Sequence, residues 1–598
     1  MLFLALACAE PTPEPLAFCE GESRYAYDPD PDGEFQTFPD DFWTVEADTS
    51  TGLQVVMDPA TMAAFADFPE NYLEWLDFLS TLDGFGLNAG IYFQFDGALP
   101  VAAIGRDRVF LVSLEEGGPT WHEPEITFTD YDHTLLLKPR RPLPPGTTVI
   151  AGLLNGEADC VSPSTHLREL VDPALGADHP LAGRYRDALD AAGIDPASLA
   201  AMTLFTTQSA TEQGLAVAAD VASTAFSITP GACADLGAWR RCEGSLRVND
   251  YRDSDGLVPP GPVAVRSTYD LPLSAWLPPG AGPFPVVVCG HGLGGDRDQC
   301  EDVVATAAAE GLALIGVDAV EHGDHPGRTE AELDLLEPLM IFGIRLTPPG
   351  LHGLKLRDNF RQSAWDKLQL IEAVRAGVDW DSDGVDDLDP ERIGYAGVSL
   401  GGIMGAEPLA LSAHLDAGLL VVGGGRVTQI IEDSPTFSIL IEVMKPSSTS
   451  DGAVDRAFPL LQTMMDPGDP MTWAPRVQSS RADGRAAPDV MLMAAYNDEI
   501  VPNSTNDLLA TAFAAPGVGT EIWPVEGIAF TAGSVSGNGP GGGSLGYVQR
   551  ATVHEGGVEV PAEHDNVHSS DEGLAAIEAF FRPVFFEGGH GVVTDPGE

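Results

Sequence analysis

The stretch around Ser399 has the residue types and the spacing that nucleophilic catalysis needs. Residues 393–398 are apolar and predict a buried strand, and helical spacing begins at Leu400. Gly397-Val-Ser399-Leu-Gly401 joins the two, which is the G-x-S-x-G pattern of a nucleophile elbow. Such an elbow holds the serine in a sharp turn, and its glycines leave space where a Cβ would clash. Ser399 is therefore the candidate nucleophile.

A serine hydroxyl is a weak nucleophile unless a base takes its proton and an acid orients that base. With this kind of elbow the acid and then a histidine follow the serine along the chain. Asp498 lies directly after a predicted strand at residues 490–494, which is where the acid is expected. We take Asp498 as the acid, with the adjacent Glu499 as its alternative.

The base should lie in a loop shortly before the last helix, which we predict over residues 572–581. His564 and His568 both lie in that loop, and spacing does not distinguish them. We take His564 as the base and His568 as its alternative.

A glycine-rich loop follows an earlier predicted strand, residues 285–289, and supplies the remaining part of the site. It contains His291, Gly292 and Leu293, and its glycines allow a backbone N–H to approach a substrate oxygen. We predict that the N–H groups of Leu293 and Leu400 form an oxyanion hole. His291 is expected to brace the loop rather than to act as a base.

Alternate carboxylates just before the elbow strand suggest a cation site. Asp379, Asp381 and Asp383 precede a glycine, as at the start of a calcium loop. Pro390 stands where an EF-hand would carry its bidentate glutamate, so an EF-hand is not expected. Two interpretations remain, a short loop holding a structural Ca²⁺ and a solvated acidic turn. The predicted chemistry itself requires no cofactor.

The charge of the chain excludes one large class of partners. The 598 residues include 31 lysines and arginines against 90 aspartates and glutamates, a formal net charge of −59. A chain of this charge repels phosphate backbones and anionic bilayers, so we expect no nucleic-acid partner. High acidity with little lysine is typical of a protein that works in salty water or binds divalent cations.

The first residues predict export. Residues 1–8 resemble the end of a bacterial lipoprotein signal, with Cys8 as the lipid-bearing residue and a possible membrane anchor. The other cysteines are even in number, which in an exported protein suggests disulfides. The local pairs Cys233–Cys242 and Cys289–Cys300 are the first to test, and they would leave Cys19 with Cys160. No stretch is long and apolar enough to predict a transmembrane helix.

The pattern along the chain divides it into three parts. Residues 1–20 are a signal or lipoprotein tether with a linker, and residues 21–250 form a β-rich, Ig-like domain with added helices. Strands and helices alternate over residues 260–598, which predicts an α/β domain with a mostly parallel, doubly wound sheet. Residues 321–357 and 425–487 interrupt this alternation, as caps over the site or as surface insertions.

The motifs together resemble the α/β-hydrolase superfamily, through the elbow, the loop at 291–295, Asp498 and His564. More closely, the chain resembles bacterial extracellular lipases that carry a virulence-factor-lipase N-terminal domain. Short fragments carry that likeness, at residues 82–86, 142–146, 194–198, 204–208, 357–362 and 389–393. The resemblance implies an exported or surface lipoprotein that cleaves carboxylic esters, including lipid or lysophospholipid esters, with a small-molecule or lipid substrate.

Two rival functions are compatible with the same residues. One is a surface-binding lipoprotein without catalysis, in which the hydrolase fold is vestigial. The other is a serine peptidase on the same fold. The first is less favoured because every position of the Ser-His-Asp arrangement is filled.

Overall fold

The computed structural model describes residues 14–28, 37–57, 73–100, 104–156, 159–175, 180–329, 334–346, 349–438, 441, 445, 449–479 and 485–595. Cys8, the predicted lipidation site, lies outside these ranges. Within them the chain forms a β-rich N-terminal region and a larger α/β region.

In its described ranges the N-terminal region consists of short strands and four α-helices. Its strands are β1 Ser23–Arg24, β2 Thr37–Phe38, β3 Thr44–Glu46, β4 Leu53–Val55, β5 Ile91–Gln94, β6 Val109–Glu115, β7 Gly118–Trp121, β8 Pro124–Thr129, β9 Thr134–Pro139, β10 Thr148–Leu154, β11 Val161–Ser162 and β12 Leu199–Thr206. Its helices are α1 Glu74–Leu79, α2 Thr165–Val171, α3 Ala182–Ala192 and α4 Glu212–Ser223.

Two antiparallel sheets of four strands form the framework of this region, in the orders β12-β10-β6-β7 and β2-β5-β9-β8. Inward side chains of both sheets belong to one apolar core, and every residue of β12 is buried. This region is rich in strands. Its assignment as an Ig-like domain stays a prediction.

The α/β region is built around a sheet of eleven strands. They run in the order β13-β14-β15-β17-β16-β20-β21-β22-β25-β23-β24. The strands of this region are β13 Ile228–Asp235, β14 Arg240–Asp250, β15 Ser267–Leu277, β16 Phe284–Gly290, β17 Ala313–Val317, β18 Ile344–Leu346, β19 Pro349–Leu351, β20 Leu388–Val398, β21 Leu415–Val421, β22 Asp489–Ala495, β23 Gly517–Val518, β24 Phe530–Thr531, β25 Leu545–Arg550, β26 Thr552–Glu555 and β27 Val558–Pro561. From β17 through β16, β20, β21 and β22 to β25 all neighbours are parallel, as the alternation of strands and helices predicts.

Helices cover both faces of this sheet. They are α5 Val304–Ala309, α6 Gly353–Arg375, α7 Leu400–Met404, α8 Ala406–Leu411, α9 Val427–Asp433, α10 Asp451–Met465, α11 Pro470–Val477, α12 Asn503–Phe513 and α13 Asp571–Arg582. Successive strand residues point to opposite faces. Val286 and Val288 accordingly share an apolar cluster with Trp365 of α6, whereas Val287 shares one with Phe580 of α13.

The sheet begins earlier in the chain than the sequence indicates. Residues 228–250, which the sequence analysis assigns to the N-terminal domain, form β13 and β14 and are hydrogen-bonded into the central sheet. The turn-forming residues at 243–262 predict the domain boundary. In the structure this range holds the end of β14 and part of the connection to its antiparallel neighbour β15, which pairs with β14 from Arg240–Leu277 to Asp250–Ser267.

The cysteines follow the predicted pairing in part. Cys19 is bonded to Cys160 and Cys233 to Cys242. The predicted Cys289–Cys300 disulfide is wrong, since both residues are free and buried thiols. Burial raises the pKa of the Cys300 thiol well above its usual value. Cys289 is the next-to-last residue of β16 and Cys300 lies in the 3-10 helix Arg297–Val303, and sequence spacing does not show that two such residues stay reduced.

The two stretches that interrupt the alternation pack against the N-terminal region and the elbow helix. The first includes a 3-10 helix, Asp334–Phe342, and the hairpin of β18 and β19. Trp75 of α1 donates its indole N–H to the carbonyl of Leu351 at 2.8 Å. Side chains of both stretches share one apolar cluster with Leu400 of α7.

None of the helices in the described ranges combines the length and the apolar composition that crossing a membrane requires.

Candidate active site

Ser399 lies at the turn between β20 and α7, as the elbow pattern predicts. Its backbone has φ 56° and ψ −118°, a conformation that side-chain-bearing residues rarely adopt. Such a backbone costs about 1–3 kcal/mol and persists only where the surroundings hold it. Here the N–H of Ser399 donates to the carbonyl of Val421 at 2.9 Å, and its carbonyl accepts from Ile403 at 2.9 Å.

The flanking glycines are required by backbone packing. A Cβ on Gly397 would lie 2.2 Å from the carbonyl oxygen of Gly401. A Cβ on Gly401 would lie 2.1 Å from the carbonyl oxygen of Gly290, the last residue of β16. Backbone atoms cannot give way as a flexible side chain can, so the elbow closes only with glycine at both positions.

Asp498 lies just beyond the end of β22, in a loop that directs donors at its carboxylate. The N–H groups of Ile500 and Val501 donate to its Oδ1 at 2.9 and 2.8 Å. Its side chain is fully buried. The alternative acid, Glu499, has an exposed side chain.

The structure pairs His564, rather than His568, with Asp498. The Nδ1 of His564 lies 2.9 and 2.8 Å from the two carboxylate oxygens of Asp498. His568 is directed elsewhere, since its Nε2 lies 3.9 Å from the Oδ2 of Asp302. Burial lowers the pKa of His568, and its Nδ1 has no hydrogen-bond partner within the described ranges. His564 therefore has the oriented imidazole of an acid–base pair.

All three predicted catalytic side chains belong to one edge of the sheet. Ser399 follows β20, Asp498 follows β22, and His564 lies in the loop between β27 and α13. Because β20, β21, β22 and β25 are parallel, their carboxyl ends meet at that edge.

The glycine-rich loop after β16 lies directly beside the elbow. Gly290 is paired with Gly397 in the sheet, and a Cβ on Gly292 would lie 3.5 Å from the Cβ of Ser399. The N–H of Gly292 is already bonded to the Oε1 of Gln299 at 2.7 Å. Leu293 is the next residue in the loop. Leu400 is the first residue of α7, and the N–H of a first helical residue has no carbonyl acceptor within its own helix.

His291 braces this loop as a neutral imidazole. Its Nε2 accepts from the N–H of Ala319 at 2.9 Å, so the ring proton is on Nδ1, which lies 2.9 Å from the carbonyl oxygen of Gly292. Burial lowers the pKa of His291 to about 3. The ring therefore connects the glycine-rich loop to the segment after β17 and carries no charge near neutral pH.

His291→Asn should reveal this buried neutral histidine as a change in the pH dependence of stability. In the unfolded chain the imidazole takes up a proton near pH 6.5, whereas in the folded protein it does so only near pH 3. The wild type therefore loses stability as the pH falls below 6.5, and the asparagine variant does not share this loss. The variant's deficit in unfolding free energy should shrink by about 2 kcal/mol between pH 7 and pH 5.

Calorimetry at several pH values measures this difference. His554→Asn is the control, because His554 is exposed and Glu572 raises rather than lowers its pKa. The deficit in unfolding free energy of His554→Asn should not shrink between pH 7 and pH 5. A deficit of His291→Asn that is equal at pH 7 and pH 5 would contradict a neutral, buried His291.

The acidic loop before β20 holds carboxylates in a different combination from the predicted one. Oxygens of Asp379, Asp381 and Asp387 lie within 4.8 Å of one another, and Asp383 is not part of this group. Carboxylate oxygens suit Ca²⁺. Arg240, however, donates to Asp381 at 2.9 Å and to Asp387 at 2.8 Å, so a guanidinium already balances part of the charge. Calcium at this loop stays a prediction.

The residues that support the site from outside were not found from the sequence. Gln299 fixes the amide of Gly292, and Tyr395 donates to the carbonyl of Gly401 at 2.6 Å. Ser434 and Thr436 donate to the carbonyl of Glu499 beside the acid. Tyr395 lies within the elbow strand and could have been suspected there, whereas nothing in the local sequence marks the other three.

No protein-family model matches the chain, and no curated protein matches it either. Solved structures do resemble it. An acetyl xylan esterase from Paenibacillus sp. R4 is 16% identical with a TM-score of 0.34, over 54% of this chain and 87% of that protein. Acetyl xylan esterase 1 from Thermoanaerobacterium sp. JW/SL YS485 is 13% identical with a TM-score of 0.38, over 63% and 94%. An S-formylglutathione hydrolase from Agrobacterium tumefaciens is 11% identical with a TM-score of 0.29, over 58% and 97%.

Proposed function

We propose that the protein is a serine carboxylic-ester hydrolase of the α/β-hydrolase type, with Ser399 as nucleophile, His564 as base and Asp498 as acid. The observation that carries this proposal is the pairing of His564 Nδ1 with both carboxylate oxygens of Asp498. The His564–Asp498 pair lies at the edge of the sheet where Ser399 occupies the strained elbow. A histidine oriented in this way can take a serine proton through its other nitrogen.

The reaction then proceeds through an acyl-enzyme. Ser399 Oγ attacks the ester carbonyl carbon while its proton passes to the Nε2 of His564. Asp498 accepts the Nδ1–H of His564, which fixes the tautomer and stabilises the imidazolium. The N–H groups of Leu293 and Leu400 donate to the oxyanion. The imidazolium then gives its proton to the leaving alcohol, and water activated by His564 releases the acid.

The substrate class we propose is an ester with an apolar acyl chain, such as a lipid or lysophospholipid ester. Leu293 of the glycine-rich loop, Leu339 of the 3-10 helix and Ile500 of the acid loop are partly buried apolar residues packed against the same core. Pro338 reaches the glycine-rich loop, since a Cβ on Gly294 would lie 3.3 Å from it. The loops near the catalytic residues therefore contribute apolar side chains, which favours hydrocarbon over charged substrate groups.

Export of the protein is part of the same proposal. Two disulfides, Cys19–Cys160 and Cys233–Cys242, are typical of an oxidising compartment. A lipid anchor at Cys8 and the likeness of the N-terminal region to the virulence-factor lipases stay predictions.

A fluorophosphonate probe and a substrate panel test this function. The probe should modify the purified full chain at Ser399, as peptide mass spectrometry would show. The panel compares p-nitrophenyl esters of increasing acyl length, lysophospholipids, acetylated sugars and peptide amides, and we expect turnover of the esters with longer acyl chains. An unlabelled Ser399 without turnover would favour the non-catalytic lipoprotein, and turnover of amides alone would favour the peptidase.

A further inference from the structure

Two hydroxyl groups from the second inserted stretch converge on the loop that carries the acid. Ser434 and Thr436, which we call the hydroxyl pair, follow α9. Each donates to the carbonyl oxygen of Glu499, at 3.1 Å in both cases. Ser434 is fully buried, so its hydroxyl is shielded from water. Glu499 is the neighbour of Asp498, and the contact therefore reaches the acid loop one residue after the proposed acid.

The peptide unit that accepts from the hydroxyl pair is also a donor to the acid. It joins Glu499 to Ile500, and its N–H donates to Asp498 Oδ1 at 2.9 Å. A trans peptide is planar, with its C=O and N–H directed oppositely. Holding the oxygen of this peptide therefore fixes the direction of its N–H. That N–H in turn helps to hold the carboxylate that orients His564.

The segment carrying the hydroxyl pair is anchored on the N-terminal region. Arg426, at the start of α9, is buried with a left-handed backbone, φ 52°. Its Nε donates to the carbonyl of Asn88 at 3.0 Å, and its Nη2 donates to the carbonyl of Pro139. A second tie reaches the helix after the acid loop, where Ser504 donates to Asp433 at 2.9 Å. The helix before the hydroxyl pair, α9, is therefore hydrogen-bonded at both ends: to the N-terminal region through Arg426 and to α12 through Asp433.

We propose that Ser434 and Thr436 are positioning residues for Asp498, and that the inserted stretch, fixed by the N-terminal region, sets the geometry of the catalytic acid. This inference rests on the proposed function. The hydroxyl pair contacts the carbonyl of Glu499 and is not one of the three proposed catalytic groups. Its effect passes through one peptide unit to the Asp498 carboxylate and then to the His564 imidazole.

A double-mutant cycle between the hydroxyl pair and Asp498 tests this coupling. The combined variant Ser434→Ala, Thr436→Val should lower the single-turnover acylation rate with a p-nitrophenyl ester about 10-fold, as expected when a hydrogen bond that orients a residue of the site is lost. KM should change little, because no substrate contact is lost. In an Asp498→Asn background the same two substitutions should have almost no further effect.

Two further variants separate positioning from simple destabilisation. Ser438→Ala removes an exposed hydroxyl that donates to Pro435 in the same segment, at 3.1 Å, and should leave the rate unchanged. Ser434→Thr with Thr436→Ser keeps both hydroxyls and should restore most of the rate. If the combined variant does not fold, Thr436→Val alone replaces it, since Thr436 is exposed and donates one of the two bonds.

The outcomes distinguish the two proposals. An equal loss of rate in the wild-type and Asp498→Asn backgrounds would overturn the positioning role while leaving the ester hydrolase intact. Full activity of Ser399→Ala would overturn the ester hydrolase itself. A loss confined to the background that retains Asp498 supports the coupling.

Discussion

Replacing Ser399 with alanine should lower kcat for p-nitrophenyl esters by about five to six orders of magnitude. No acyl-enzyme can form without the hydroxyl oxygen. The backbone bond from Ser399 to Val421 does not involve the side chain, and alanine meets the same positive φ as serine. The fold and the Tm should therefore stay close to those of the wild type. A residual rate above that in water is expected from the amides of Leu293 and Leu400.

Ser412→Ala is the control for this variant. Ser412 lies just after α8, and its hydroxyl accepts from the N–H of His414 at 3.1 Å, away from the site. Its kcat should equal that of the wild type. Ester turnover by Ser399→Ala within tenfold of the wild-type rate would contradict the proposed nucleophile, as would unchanged labelling of the variant by a fluorophosphonate.

The elbow could be predicted because its constraints are local. Gly397 and Gly401 are dictated by backbone atoms a few residues away and in the neighbouring strand. The parallel sheet follows from apolar runs that alternate with helical spacing, and the proposed acid, Asp498, follows from its place after β22. Each of these features leaves a local pattern in the sequence, so one sequence is sufficient to indicate it.

Features that depend on side-chain direction across the fold could not be predicted. His564 and His568 differ by four positions in one loop, yet one reaches Asp498 and the other lies beside Asp302. Cys289 and Cys300 are close in sequence and remain reduced. Each outcome depends on the packing of separate secondary-structure elements against one another. Neither the periodicity nor the spacing of a sequence gives that packing.

The contacts around the hydroxyl pair could not be predicted either, because they join parts of the chain that are far apart in sequence. Ser434 contacts a carbonyl 65 positions further along the chain, and Arg426 contacts carbonyls about 300 positions earlier. The boundary of the N-terminal region was misplaced for a related reason, because residues 228–250 extend the central sheet. A single acid loop is thus held by parts of the chain that the sequence pattern assigns to separate regions.

His564→Ala and His568→Ala should differ by several orders of magnitude in kcat, although the two histidines lie in one loop and are almost equally buried, at 7% exposure each. His564→Ala removes the proposed acceptor of the Ser399 proton, and kcat should fall about as far as in Ser399→Ala, by about five to six orders of magnitude. His568→Ala removes an imidazole that is not bonded to Asp498. Its Nε2 lies 3.9 Å from the Oδ2 of Asp302, which is too far for a hydrogen bond. Its kcat should stay within about threefold of the wild type, because the Nδ1 bond from His564 to Asp498 is unaffected.

This comparison has its own internal control, since the two variants delete the same side chain from equally shielded positions. A general effect of disturbing the loop would lower both rates alike, whereas a catalytic role lowers only one. Fluorophosphonate labelling of Ser399 should slow in the same ratio as kcat, because both reactions require the serine proton to be removed. Equal losses in the two variants would contradict His564 as the base, and a larger loss in His568→Ala would transfer that role to His568. We expect the large loss in His564→Ala alone, which would identify as the base the histidine that is bonded to Asp498.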